Sequence, residues 1–388
     1  MTRLRILIGA DTFPPDVNGA ARFAERLAHG LAGRGHDVHV VAPSAEGPAA
    51  TVTAGGITVH RLRSRRWPTH PDFRVCPPWA AMPATADVLR AVDPDVVHVQ
   101  AHFVVGRGLA VAAEQTRRPL VATNHFMPEN LLAHSRLPAA FHRPAAWLAW
   151  RDLARVFRRA DVVTAPTPRA VALLADAARL TWALPVSCGI DHQAYRSGAE
   201  GDVPTVLFVG RLDEEKRVDE LIRAFALLPS PPPARLEIVG DGSRRARWTA
   251  LAGQLGVPAT FRGVVSEPDL RAAYARAAVF AMPGTAELQS LATLEAMASG
   301  TAIVAADAMA LPHLVAPGRN GFLFPPGDVA SLASALTTLL GDAVLRRRMG
   351  QASREIAAGH AMDATLDAFQ AIYERVADRG RPDVRIAA

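Results

Sequence analysis

The sequence predicts an α/β protein built as two doubly wound, Rossmann-like domains, and three observations carry that prediction. The chain has 388 residues, more than a single hydrophobic core usually organises. Short β-type runs alternate with helical patterns along its whole length, the signature of parallel sheets covered by helices. A polar stretch, Arg196–Pro204, interrupts this alternation near the middle. It reads as a hinge between domains at 1–196 and 204–360, each with its ligand edge at the strand C-termini.

The elements follow in order. Expected strands of the first half are Leu4–Gly9, Val38–Ala42, Ile57–Leu62, Val96–Val99, Leu120–Thr123, Val162–Ala165 and Leu184–Ser187. Those of the second half are Val206–Gly210, Leu236–Gly240, Ala259–Arg262, Val279–Met282, Ala302–Ala305 and Gly321–Phe324. Helical patterns at Ala20–Gly33, Val218–Leu228, Asp269–Ala277 and Leu291–Ala298 lie between them, and Ala364–Val376 reads as an amphipathic helix. Ser230–Pro233 is a Pro-rich turn rather than a boundary.

Hydrophobic residues make up 49% and charged residues 21% of the chain, ordinary for a soluble protein. The apolar runs are strand-sized and too short for a membrane span. No signal peptide is legible, and Cys76 and Cys188 offer neither a disulfide framework nor a metal cluster, so a cytoplasmic setting is expected. Net charge is +6. It is the only support for nucleic-acid binding, which is therefore not expected. Of the 43 basic residues, the sole lysine is Lys216. No Gly-x-Gly-x-x-Gly follows the first strand, which disfavours a nicotinamide dehydrogenase.

The strongest chemical signal is Glu287-Leu288-Gln289-Ser290-Leu291, with Glu295 eight residues after Glu287. A helix N-terminus offers free N–H groups to a diphosphate. A carboxylate before that terminus can accept hexose hydroxyls, and one inside the helix can accept ribose hydroxyls. The pattern therefore suits a sugar nucleotide, although an ordinary acidic helix start has the same spacing. The second signal is Gly210-Arg211-Leu212-Asp213-Glu214-Glu215-Lys216, directly after a strand. Gly210 allows a close turn. Arg211 and Lys216 can place two cations on a departing diphosphate without a metal ion. A solvated charged turn is the competing reading.

These residues resemble glycosyltransferase family 4, in Gly-Arg-Leu followed by Lys and then Glu-x7-Glu-Ala-x-Ala-x-Gly. Phe13-Pro14-Pro15, Asn18-Gly19 and Gly35-His36-Asp37-Val38 are similar to that family's opening, so the resemblance covers most of the chain. It implies a GT-B fold, with two domains facing across a cleft, and a retaining, metal-independent transfer with no cofactor beyond the sugar nucleotide. It places Glu287 at the donor hexose, Glu295 at the ribose, and Arg211 and Lys216 at the diphosphate. Gln289, Ser290 and Leu291 would flank the same phosphates, and Gly19 would let its loop approach them from the other domain. It also implies that the C-terminal helix, about 362–388, packs back on the N-terminal domain. Family members often carry Phe-Gly where this chain has Gln289-Ser290. Ser290 is expected to cap the helix.

His125, after the strand Leu120–Thr123 in Asn124-His125-Phe126-Met127-Pro128-Glu129-Asn130, corresponds to a family histidine that lines the cleft. It would hydrogen-bond the transferred sugar or the phosphate. His98 reads as a core strand residue. Asp93-Pro94-Asp95 mimics a metal-binding Asp-x-Asp but reads as a turn. Two basic-aromatic segments, Arg61 to Trp67 and Arg136–Arg159, suit an anionic interface. With the resemblance they point to a lipid or other envelope acceptor and to peripheral contact at the inner membrane face. A buried helix with solvated arginines fits the second segment equally. UDP-glucose and GDP-mannose are both compatible donors. A GT-B sugar-nucleotide epimerase and a non-catalytic sugar-nucleotide-binding protein are the alternatives; the first needs no acceptor and the second turns over no donor.

Overall fold

The computed structural model of the chain describes residues 2–16, 18–67, 70–128, 138–198, 203–229 and 234–380. The turn Ser230–Pro233, part of the polar stretch after Gly198, Glu129, Asn130, Arg136 and the tail beyond Gly380 lie outside the described residues.

The chain divides into two compact units. The first holds residues up to Pro128, then 138 to Ser187, then the chain from Asp363; the second runs from Cys188 to Met362. The division thus falls at Ser187/Cys188, before the polar stretch Arg196–Pro204. The reason is pairing. Ile190 donates its N–H to His360 O (2.9 Å), and Met362 donates its N–H to Ile190 O (2.9 Å). Tyr195 packs its ring edge-on to Tyr274, 5.9 Å between centroids. Residues 188–198 therefore already belong to the second core.

Strands of the first unit are β1 (Arg5–Gly9), β2 (Asp37–Pro43), β3 (Ala50–Ala54), β4 (Ile57–Leu62), β5 (Arg65–Trp67), β6 (His70–Val75), β7 (Val96–Val99), β8 (Leu120–Thr123), β9 (Val162–Ala165) and β10 (Leu184–Pro185). Among the described residues they form an eight-stranded sheet in the order β10-β9-β8-β7-β1-β2-β4-β3, plus a separate β5-β6 hairpin. Only β3 runs antiparallel to its neighbour in that sheet. The central strands are buried on both faces: Ile6, Leu7 and Ile8 have no exposed surface. That is why they read as unbroken apolar runs. β3 is exposed throughout and lacks such a run, so the sequence does not announce it.

The helix Gly19–Gly33 follows β1 and is capped by Asn18, whose Oδ1 accepts the Ala21 N–H at 2.9 Å. It ends before Gly35, which takes a left-handed φ of 89° that a side chain would disfavour. The terminal helix Met362–Gly380 buries Leu366, Phe369 and Tyr373 in the first unit. Arg34 Nη1 bonds Asp367 Oδ1 at 2.6 Å. A Cβ on Gly30 would come within 2.7 Å of Leu366 Cδ1, so that glycine sets how closely the terminal helix lies.

The second unit contains β11 (Thr205–Val209), β12 (Arg235–Val239), β13 (Ala259–Gly263), β14 (Val279–Met282), β15 (Ala302–Ala306) and β16 (Gly321–Phe324). They form a parallel six-stranded sheet in the order β13-β12-β11-β14-β15-β16. Strand order reverses between β11 and β14. In such sheets ligands bind outside the strand C-termini at this switch point. In the first sheet the reversal lies between β1 and β7.

Candidate functional site

The loops that leave β11 and β14 at the switch point carry most of the residues singled out by sequence. They are stitched together by backbone and side chain. Thr285 donates its N–H to Glu215 O at 3.1 Å, and Lys216 Nζ bonds Glu287 Oε1. Gly284 lies beneath this pair; a Cβ there would be 3.4 Å from Glu287 Oε1 and 3.5 Å from Lys216 Cδ. Lys216 and Glu287 are 16% and 11% exposed in their side chains.

Arg211 is held by two buried carboxylates, Glu215 Oε1 at 2.9 Å and Asp213 Oδ2 at 3.3 Å. Asp213 in turn accepts from Ser243 N–H (3.1 Å) and Ser243 Oγ (2.9 Å). A solvated turn would leave these acids in water, so that reading of the segment does not hold. Gly210 donates its N–H to Val239 O at 3.0 Å, and Leu212 donates to Asp241 O at 2.9 Å. The two loops approach so closely that a Cβ on Gly240 would lie 1.9 Å from Gly210 O, and one on Gly242 2.6 Å from Leu212 O. Gly240, Gly242, Ser243, Gly284 and Thr285 were not singled out from sequence. Gly240-Asp241-Gly242 directly after a strand is the signal that would have found the first of them.

The helix Leu291–Ala298 starts beside Glu287. Ser290 stands at its N-cap, but the expectation that it caps the helix is corrected. Its backbone is left-handed, φ 69° and ψ 81°, and its side chain accepts no helix N–H. A capping serine needs an extended backbone to reach back; here the hydroxyl instead pairs with Thr293 Oγ1 at 2.8 Å. The left-handed turn also explains why a glycine suits this place in the family pattern. Leu291 is the first helical residue. Gln289 is buried, and its side chain turns inward: Oε1 accepts the Cys188 N–H at 2.8 Å, and Nε2 lies 3.5 Å from His360 Nδ1. Glu295 is buried in the helix, with Tyr274 OH donating to its Oε2 at 3.1 Å.

Gly19 and His125 belong to the first unit. Gly19 opens its helix and is exposed after β1. His125 follows β8, with Nε2 2.9 Å from Gln100 Oε1 and its ring 4.9 Å from that of Phe23. Burial pushes its pKa down to about 4. His98 is a core strand residue, fully buried between Tyr373 OH and Thr123 Oγ1, both at 2.6 Å. Asp93 ends a helix in left-handed conformation and Asp95 accepts the Arg5 N–H at 2.8 Å, so Asp93-Pro94-Asp95 is a turn.

The basic-aromatic segments are only partly outward. Arg61 is consumed internally: it donates to Pro43 O at 3.1 Å and to Pro14 O, and lies over the Phe13 ring. Trp150 and Phe157 are core residues of the helix His142–Phe157. Phe141, Trp147 and Leu148 are more than half exposed, alongside exposed Arg143, Arg151 and Arg155. The helix is therefore neither wholly buried nor wholly polar outside. Among the described residues no single helix is long and apolar enough to cross a membrane.

Residues 17–194 match the family model described as Glycosyltransferase Family 4, and residues 191–356 that of glycosyl transferases group 1. The chain is 33% identical over 397 residues to a GDP-mannose-dependent alpha-mannosyltransferase of Mycolicibacterium smegmatis, covering 99% of this chain and 100% of the relative. Its fold is similar to sucrose-phosphate synthase from Thermosynechococcus elongatus, with TM-score 0.80, 21% identity and coverage of 97% and 100%. It is also similar to Anabaena HepE solved with UDP-glucose, with TM-score 0.77, 19% identity and coverage of 96% and 100%. The two six-to-eight-stranded doubly wound sheets, the paired loops at the switch point and the full-length similarity agree, and the chain belongs to glycosyltransferase family 4 as a glycosyltransferase of the GT-B fold.

Proposed function

We propose that the protein transfers a hexose, mannose from GDP-mannose in the first instance, to an acceptor hydroxyl with retention of the donor's anomeric configuration. The observation that carries this reading is the Lys216–Glu287 pair beside Arg211 at the β11/β14 switch point. Two cations there meet the diphosphate, and the N–H groups of Ser290 and Leu291 add the positive end of the helix. Breaking the glycosidic bond leaves negative charge on the diphosphate, and Arg211 and Lys216 stabilise that charge as it develops. Lys216 then lets go of Glu287, whose carboxylate accepts hexose hydroxyls, while Glu295 accepts from the ribose. Two cations make a divalent ion unnecessary. In the same reading Gly19 gives the phosphate room and His125 hydrogen-bonds the transferred sugar.

Mannose is favoured over glucose by full-length relatives, the GDP-mannose-dependent alpha-mannosyltransferases of Mycolicibacterium smegmatis and Mycobacterium tuberculosis. The exposed face of His142–Phe157 supports an amphiphilic acceptor met at the cytoplasmic side of a membrane. The test is product analysis with GDP-mannose or UDP-glucose, a bacterial lipid extract and EDTA. Transfer from GDP-mannose in EDTA, with the anomeric configuration kept by NMR, is expected. An absolute requirement for a divalent ion, an inverted linkage, or donor turnover without acceptor would overturn it.

A further inference from the structure

Beneath His125 lies a buried polar chain that the proposed chemistry does not yet use. Tyr373 OH and Thr123 Oγ1 each lie 2.6 Å from a ring nitrogen of His98, and Thr123 Oγ1 is 2.7 Å from Thr164 Oγ1. Gln100, which follows β7 and is itself buried, bridges from this chain to His125. Its amide nitrogen faces both nitrogens of His98 at 3.3 Å, which leaves Oε1 for His125 Nε2 at 2.9 Å. An amide oxygen only accepts, so the imidazole nitrogen it meets must carry the proton. Which ring nitrogen of a histidine is protonated follows from the partner that one of them is given.

We propose that Gln100 is a positioning residue for His125, accepting from its Nε2–H and so holding the ring in the Nε2-protonated tautomer and in one orientation during transfer. The proposal rests on the reading that His125 touches the transferred sugar. His98 on β7 is a titratable neighbour of this ring, and the uncharged Phe23 ring also packs against it. Burial keeps both histidines neutral, with pKa values pushed down to about 3 for His98 and about 4 for His125. A neutral ring has one N–H to place, so the identity of its acceptor decides the tautomer.

The test is 15N NMR of the histidine rings in the whole protein from pH 5 to 8, with kinetics on the same samples. His125 is expected to show a protonated Nε2 and an unprotonated Nδ1 with no titration in this range. Gln100→Leu should lose that preference and lower kcat on the order of tenfold with little change in KM, as when an orienting partner is taken from an imidazole. Gln100→Glu keeps the shape and replaces the amide by an anion. It should draw the His125 titration up into the measured range and give the rate a new acid limb there. An Nδ1-protonated ring in the wild type, or a Gln100→Glu variant with an unshifted titration and pH profile, overturns the proposal. His125→Ala separates the two ideas: full activity in that variant sinks the sugar-contact reading while the NMR result on Gln100 stands or falls by itself.

Discussion

Lys216 Nζ bonds Glu287 Oε1, joining two loops that lie 71 residues apart in sequence. The lone lysine of the chain and the first of the two glutamates are thus partners. Lys216→Ala removes both the cation proposed to meet the diphosphate and the partner of a nearly buried carboxylate. It should lower kcat/KM on the order of a hundredfold, about 3 kcal/mol in the transition state. Lys216→Arg should rescue poorly, because a planar guanidinium fork does not place its charge on Glu287 and the diphosphate as a compact ammonium does. Steady-state kinetics with a melting curve for each variant is the check; near-normal kcat/KM in the alanine variant would reduce Lys216 to a loop clasp.

At Ser290 the usual order of alanine and glycine should reverse. The left-handed backbone, φ 69°, penalises any Cβ by roughly 1–2 kcal/mol. Both substitutions lose the hydroxyl contact to Thr293, so the comparison isolates the backbone. Ser290→Gly is expected to be more stable than Ser290→Ala by about 1 kcal/mol in denaturant unfolding, after the larger unfolded-state entropy of glycine is allowed for. The opposite order would mean that the backbone at this turn is not left-handed in solution.

Tyr274 is the buried partner of Glu295. Tyr274→Phe keeps the ring packed against Tyr195 and removes one donor to the carboxylate. If Glu295 reads the ribose, the variant should bind the nucleoside diphosphate several-fold more weakly and discriminate less against its 2′-deoxy form. A hydrogen bond to a charged group is worth about 1.5–3 kcal/mol. Calorimetric titration of both ligands decides; unchanged discrimination would leave Tyr274 a packing residue.

Stability should fall with acid between neutrality and pH 4. His98, His102 and His125 have folded pKa values pushed down by burial to about 3, 4 and 4. Each takes up a proton more readily when unfolded, so each contributes stability that is present above about 6.5 and is lost as pH falls toward the folded value. The slope is roughly 1.4 kcal/mol per pH unit for each ring. Asp11 works the other way, because burial raises its pKa to about 6 and its contribution is lost as pH rises from about 3.9 through 6. Burial raises Asp16 as well, but it also lowers His39, His60 and His360, so the depressed histidines outnumber the raised aspartates. Urea midpoints at pH 7 and pH 5 measure the net effect, and a higher midpoint at pH 5 would contradict it.

The outer face of His142–Phe157 should hold the protein to anionic vesicles. Trp147 and Leu148 supply apolar surface, and Arg151 lies 5.3 Å from the Trp147 ring centroid. Flotation with anionic liposomes at low salt is expected to carry the wild type up. Trp147→Glu with Leu148→Glu should leave it at the bottom without changing the melting temperature. Flotation indifferent to these changes would remove this face from the membrane reading.

What the sequence determined by itself was the position of strands buried on both faces, since parallel strands between two helical layers must be continuously apolar. Ile6–Ile8, Val96–Val99 and Val279–Met282 lie where their runs place them. The order Gly-Arg-Leu, Lys, Glu and Glu was legible too, because loops after strands carry polar groups that a core cannot use. Only the tertiary structure decided the rest. β3 is exposed and needs β4 to exist as a strand, so no local run marks it. The unit boundary at Ser187/Cys188 follows from Ile190 pairing with Ala361, a contact between distant segments. Ser290 reads as a cap because serine usually is one; its backbone is left-handed instead, which residue type does not encode. The partners of Lys216, Glu295 and His125 are all more than twenty residues away in sequence, and each pairing forms inside one unit, where neighbouring elements around a single sheet bring distant segments together.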